Sequence, residues 1–379
     1  MKQTGIADVK LQNRLRVAAY CIEHGSASRS DIASALGLST PTVLQNVSEL
    51  LHIGFLCETG SLSSTGGRKA KLLSLRDGFL YGAGMEITKN HIQLVLLDLS
   101  RRIQDAERVR CPYEDSRDYY EYLGKLLEQF LQKNDAALHA AGRNRLAGAG
   151  LSLPGIIDAK QGLLKVSHAL SVTDVPLKRF SQDISCPVCF ENDANNSAYG
   201  DIRGLSQNAV YLSLNETVGG AIYIHGDTYP GDRYQSAEFG HVVLERNGRK
   251  CYCGKEGCFD AYCSARLLQC REGETLDQFM DAVRKTELSH LALWDEYLDY
   301  LALMVSNLRV AFDCRVILGG YVGGCLQDDL PQLEEKLQKL DPTERDMTYV
   351  SAGHYGRECS AIGAAKRIMD GKLPEILAG

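Results

Sequence analysis

At 379 residues the chain is too long for one small domain and suits two or three of the usual ~100–200 residues. With 44% apolar and 24% charged residues and 36 glycines, its composition is that of an ordinary globular protein. No stretch approaches the ~20 uninterrupted apolar residues of a membrane helix, and MKQTGIADVK lacks the apolar run of a secretory signal, so a cytoplasmic protein without membrane contact is expected.

The net charge of −6 hides an asymmetry. Residues 1–76 carry nine Lys/Arg and five Asp/Glu, a net of +4, which leaves −10 on the remainder. Only the small basic head is suited to a polyanion. Thirteen cysteines in a chain with no export signal do not read as a disulfide framework; most are expected as buried thiols, and a tight cluster as a metal site.

In chain order, Leu11, Leu15, Val17, Ala18 and Ile22 recur at helical spacing and predict a first helix over 9–23. Ser28 with Asp31 three residues on resembles a capping box, Ile32, Ala35 and Leu36 form the apolar side of a short second helix, and Gly37 supplies a turn. Ser39 or Thr40 caps a third helix, with Pro41 in its first turn. If Val43, Val47, Leu50 and Leu51 face inward, then Thr40, Thr42, Gln45 and Asn46 point outward, as in a recognition helix that reads a major groove. Gln and Asn suit bidentate contact with adenine, and Thr suits a thymine methyl or a phosphate. IGFLCE and KLLSLR predict two strands around a Gly/Ser-rich wing, where Arg68 and Lys69 would grip phosphates or enter a minor groove. Caps, turn and charge agree on a winged helix-turn-helix over 1–76, and operator DNA is the expected partner.

From Gly78 onward the pattern is α/β. Strands are predicted in GAGMEITKNHIQLVLLDLS and near 103–109, then a long helix over 119–138, a strand in AGAGLSLPGIID and a strand-to-helix unit in PVCFENDANNSAYGD. A second series begins at AVYLSLNETVGGAIYIHGD, passes through helices around 301–312 to RVILGGYVGG, and ends in a helix over 361–369. Two β-rich halves with trailing helices imply two lobes, 77–200 with the C-terminal helix 361–379 and 201–360, around a cleft. His241, Cys251, Cys253 and Cys258 form a Cys₃His set within 18 positions, which suits tetrahedral structural zinc.

The stretch EFGHVVLERNGRKCYCGKEGCFDAYCS resembles the ROK family, which groups bacterial sugar-dependent repressors and sugar kinases. LSLPGIID, PVCFENDAN, VILGGYVGG and the terminal AIGAA are weaker matches, and the similarity extends over nearly the whole chain, head included. The resemblance implies an actin/hexokinase-like (ribonuclease-H-like) two-lobed α/β body behind the winged head. It further implies a sugar effector held by Asn192, Asp193, Glu238 and His241, with Asp193 in the place of the kinase general base. Asp260, where the family usually has the one-methylene-longer Glu, is a further sugar-contact candidate that the resemblance implies.

Phosphoryl transfer needs bare backbone around the phosphates. Family kinases supply Asp-x-Gly-Gly-Thr and Gly-Thr-Gly-Ile-Gly; here the matching stretches read Glu86-Ile87-Thr88-Lys89-Asn90 and Asn215-Glu216-Thr217-Val218-Gly219, and only Leu318-Gly319-Gly320 survives. A sugar-responsive repressor without kinase activity, acting as a homodimer or homotetramer, is therefore expected. An ATP-dependent sugar kinase with a DNA-binding appendage, or a constitutive DNA-binding protein whose body only dimerises, are the alternatives.

Overall fold

The computed structural model of the protein describes residues 6–61, 71–139, 145–202 and 208–378. The expected DNA contacts Arg68 and Lys69 lie outside the described residues.

The head consists of α1 (Ile6–His24), β1 (Ser26–Ala27), α2 (Arg29–Leu36), α3 (Thr40–His52), β2 (Leu56–Ser61) and β3 (Lys71–Leu75). Ser28 and Asp31 close a reciprocal capping box on α2, satisfying two N–H groups the first turn would otherwise leave unpaired. Ser39, not Thr40, caps α3 and accepts from the Thr42 N–H. The strands pair in the order β1-β3-β2, so the wing hairpin gains a third strand from the residues just before α2. Val17, Ile32, Val43, Val47 and Leu50 are fully buried and hold the three helices together.

Lobe 1 contains β4 (Tyr81–Ile87), β5 (His91–Asp98), β6 (Ile103–Arg110), α4 (Arg117–Lys133), α5 (Asp135–Leu138) and β7 (Leu146–Leu153). It continues through β8 (Ile156–Asp158), β9 (Leu163–Ser167), β10 (Val172–Pro176), α6 (Lys178–Ser181), β11 (Val188–Asn192) and α7 (Asp193–Asp201). Lobe 2 contains β12 (Ala209–Leu214), β13 (Val218–Ile224), β14 (Asp227–Thr228), α8 (Asp260–Cys263), α9 (Leu276–Arg284) and α10 (Leu288–Phe312). Next come β15 (Arg315–Gly319), α11 (Gly320–Gly323), α12 (Leu330–Leu340), β16 (Val350–Ala352) and the closing helix α13 (Cys359–Ala378). The helix predicted over 119–138 is broken at Asn134, whose Nδ2 donates to the Phe130 carbonyl at 2.9 Å; a short amide side chain thus competes with the next turn.

The two large sheets repeat one plan. Their orders are β11-β7-β4-β5-β6 and β14-β13-β12-β15-β16. In each, the first strand pairs antiparallel with the second and parallel with the strand that returns after a helix. A duplicated α/β body follows from this shared order. β8, β9 and β10 form a separate three-stranded sheet.

α13 lies across lobe 1 at unusually close range: a β-carbon on Gly84 of β4 would come within 1.8 Å of the Ala361 carbonyl. The far end of the same helix enters the head. Leu373 and Leu377 belong to one apolar cluster with Val17, Ile32, Val47 and Leu50, together with Val95 and Leu97 from β5. Head and body therefore share a core, which leaves little freedom for the head to swing independently of α13.

Of the ten cysteines outside the Cys₃His set, all expected to be buried, Cys21, Cys263 and Cys359 are, but Cys270 is exposed and the others are half-buried. A short thiol is indifferent enough to water to sit at such margins.

Candidate functional site

At the end of β11, the edge strand of the lobe 1 sheet, the chain turns directly into α7, placing Asn192 and Asp193 at the helix start. Asn192 is the N-cap: its Oδ1 accepts from Ala194 N at 2.9 Å and Asn195 N at 3.1 Å. Its Nδ2 donates to the Gly155 carbonyl at 2.8 Å. The side chain expected to grip sugar is thus largely engaged in fixing its neighbour. Asp193 Oδ1 accepts from Ala194 N at 3.0 Å, and the other oxygen has no hydrogen-bond partner among the described residues.

Loss of water lifts the Asp193 carboxyl to about 6; the Ala194 N–H opposes the rise and the charge of Glu238, from the opposite lobe, adds to it. Glu86, at the end of β4, is pushed up to about 8 by burial and by the Asp193 charge. At neutral pH this corresponds to a protonated Glu86 beside an ionised Asp193, so one carboxyl offers a proton while the other accepts one. Glu238 is exposed.

Three residues beyond Glu238, a single 3₁₀ turn over Phe239–His241 aims His241 at the cysteine loop. His241 Nδ1 lies 3.7 Å from Cys251 Sγ, and Cys253 Sγ lies 3.7 Å from Cys258 Sγ. All four donor atoms fall within 4.8 Å of one another. A regular tetrahedron with ~2.3 Å metal–sulfur bonds has edges of about 3.8 Å, so the donors fit one metal ion, and 3.7 Å is far beyond a disulfide. Gly257 makes the loop possible: at φ 79°, a β-carbon there would meet the Glu245 carbonyl at 1.6 Å. A second set, Cys270, Glu274 and His290, offers three donors, but His290 Nε2 already binds Glu274 Oε1 at 3.0 Å as a buried pair.

With Nδ1 turned to the cysteines, His241 presents Nε2 to the Tyr252 hydroxyl at 3.3 Å. The Tyr252 ring also lies 6.2 Å from that of His168, at the β9–β10 turn of lobe 1. Tyr252 and His168 were not singled out from the sequence. Their approach joins segments about 80 positions apart, and a histidine in a turn carries no pattern of its own.

Asp260, the candidate at the family's Glu position, is drawn inward. It is fully buried; one oxygen accepts from Val218 N at 2.7 Å and the other pairs with Arg266. A carboxylate one methylene shorter than Glu is drawn back onto the backbone of β13.

The stretches matched to phosphate loops are occupied. Thr88–His91 form a closed turn, with Thr88 N donating to the His91 carbonyl at 2.9 Å. Asn215 Oδ1 accepts from Tyr321 N at 2.7 Å, taking up an N–H at the start of α11.

On the head, Thr40 and Gln45 are exposed on α3 and Thr42 is half-exposed. Asn46, expected to point outward, is 5% exposed and donates to the Thr42 carbonyl at 2.8 Å. Position 46 is three residues after Val43 and four before Leu50, so it shares their buried stripe. The outward stripe runs instead through Thr40, Leu44 and Ser48; Leu44 is 49% exposed, and the i, i+4 spacing from Thr40 carried that signal.

A family model described as "ROK family" matches residues 82–370. The chain is 26% identical over 320 residues to the xylose repressor of Bacillus spizizenii, covering 82% of each. Among solved structures, a ROK family transcriptional regulator, homologous to the Escherichia coli Mlc protein, aligns over 98% of this chain and 99% of its own, with a TM-score of 0.72 and 19% identity. A ROK family glucokinase from Streptomyces griseus, solved with glucose and AMPPNP, aligns over 76% of this chain and 98% of its own, with a TM-score of 0.61 and 22% identity. These likenesses bear out the two-lobed fold; the regulator extends over the head as well.

Proposed function

As the chain belongs to the ROK family, we propose that it is a sugar-responsive repressor of carbohydrate-utilisation genes, released from its operator when a sugar enters the cleft between the lobes. One observation carries this reading: the helix α13 that packs on the sugar-site elements of the body also supplies Leu373 and Leu377 to the core of the DNA-binding head. A cleft ligand and an operator can therefore bias one shared structure.

In this reading Asp193 and Glu238 accept hydroxyl protons from the sugar, and His241 offers its Nε2 once Tyr252 gives way. Asn192 holds Asp193 in place, and Asp260 acts as a support. Zinc held by His241, Cys251, Cys253 and Cys258 supplies a structural clamp that fixes the His241 ring. The chain acts as a homodimer or homotetramer in the cytoplasm, with units 1–76, 77–200 plus 361–379, and 201–360. Thr40, Thr42 and Gln45, with the wing residues Arg68 and Lys69, contact DNA, and two heads address half-sites ~34–36 Å apart. Sugar must favour one arrangement by about 1–3 kcal/mol to alter operator affinity 5–150-fold.

The test is calorimetry with xylose, glucose and N-acetylglucosamine, followed by operator titration at saturating sugar. Binding of one sugar with weaker operator affinity is expected; no binding, or an unchanged operator affinity, overturns the reading. Asp193 at the base position and the likeness to a glucokinase fold favour a second reading, an ATP-dependent sugar kinase. Against it stand the closed Thr88–His91 turn and the Asn215 side chain lodged at the start of α11. Release of ADP with any of these sugars would restore it.

A further inference from the structure

Where the head meets the body lies a half-open cavity of about 280 Å³. Leu15, Ala19 and Ile22 of α1 line one side, Leu99 after β5 another, and Ile202 and Met369 beside α7 and on α13 the floor. Tyr223 of β13 brings in the second lobe, so head and both lobes meet at one hole. Its size lies just below the ~300–1,000 Å³ typical of ligand pockets, and its apolar walls are edged by charged groups.

The charged groups around it are unevenly satisfied. Arg16 is spent on the Leu36 carbonyl at 2.6 Å, and Asp370 accepts the Tyr199 hydroxyl at 2.6 Å. Glu23 stands at the rim. Lys366 is only 9% exposed; its ammonium donates to the Tyr199 carbonyl at 2.8 Å and rests 4.1 Å above that ring, with no carboxylate ion pair among the described residues. Burial draws its pKa down to about 8. Arg101 is held in a left-handed turn at φ 60°, and its Nε is buried without a hydrogen-bond partner among the described residues. Lys366 and the half-buried Arg101 share the lining with Arg16 and with two carboxylates, Glu23 and the Tyr199-bound Asp370, so three cations stand against two anions, and an anion that joins them offsets the cost of the buried ammonium.

We propose that this cavity is a second ligand site, for a small amphipathic organic anion whose acid group meets Lys366 and Arg101 and whose apolar body fills the space against α1. The site lies apart from the cleft residues Asp193 and His241 and stands whatever the cleft binds. A ligand there touches the head and both lobes together, so its occupancy bears on how the head is held.

Octanoate is the probe, titrated calorimetrically into the full chain without sugar, beside 1-octanol as the neutral counterpart. Saturable one-to-one binding is expected, at least about tenfold tighter for the anion than for the alcohol. Arg101→Gln with Lys366→Met should weaken octanoate about tenfold or more, and Ala19→Phe should abolish binding while far-UV circular dichroism stays unchanged. Absence of saturable octanoate binding overturns the proposal, as does equal binding of the alcohol or undiminished binding in the double variant. Should Ala19→Phe fail to fold, the double variant decides.

Discussion

Gly363 of α13 sits so close to α7 that a β-carbon on it would lie 1.7 Å from the Asn196 carbonyl oxygen. Asn196 follows Asp193 by three residues on the same helix, so the helix that carries Asp193 and the helix that enters the head are in backbone contact. In an ordinary helix, Gly→Ala gains roughly 0.5–1 kcal/mol. Here Gly363→Ala should instead lose about 1–3 kcal/mol or more, because the two helices must part. Urea unfolding of the variant checks the sign, and a stabilised Gly363→Ala would show that the contact is slack.

Asp193 gives a prediction with a worked sign. Its carboxyl is lifted from 3.8 to about 6 in the folded chain, so its contribution to stability is fully present below pH ~4 and is lost as pH rises through 6. Asp193→Asn should therefore stabilise the protein at pH 7–8 by on the order of 2 kcal/mol, with the gain vanishing near pH 4. The same change should weaken sugar binding about tenfold or more. Wild-type sugar affinity should likewise fall as pH drops through 6, where the acceptor is protonated. Thermal melts and calorimetry between pH 4 and 8 measure both. A variant destabilised at pH 7 would mean that Asp193 serves the fold and not the ligand.

Metal content separates the two donor clusters. One zinc per chain is expected by plasma mass spectrometry, lost in Cys258→Ala and retained in Cys270→Ser. Chelation should lower the melting temperature and weaken sugar binding together, since the His241 ring loses the atom that orients it. Two zinc ions per chain, or sugar binding indifferent to chelation, would contradict this division.

On the head, neighbouring residues should respond in opposite ways. Gln45→Ala should leave stability within about 0.5 kcal/mol and weaken operator binding by roughly 1–3 kcal/mol. Asn46→Ala removes an internal bond to the Thr42 carbonyl and should lower stability by about 1 kcal/mol while sparing base discrimination. Operator titrations against single base changes, run beside thermal melts, tell these apart; a loss of base preference in Asn46→Ala would reverse the assignment.

The sequence by itself determined what depends on residue types at short spacing. Ser28 with Asp31, Pro41 after Ser39, and Cys251-x-Cys253 followed by Cys258 each state a local geometry, and the structure forms all three. The winged head, the duplicated α/β order and the metal-ready loop were legible for that reason. Orientation was not, because it depends on partners distant in the chain. Asn46 turned inward with the Val43–Leu50 stripe, Asp260 was captured by Val218 and Arg266, and Asn192 was taken up as a cap held against Gly155. His168 reached Tyr252 only because the β9–β10 turn of one lobe faces the cysteine loop of the other. Tertiary structure alone decided that α13 links the cleft to the head, since its apolar residues become a head-facing surface only when Leu373 and Leu377 have α1 and α3 to pack against.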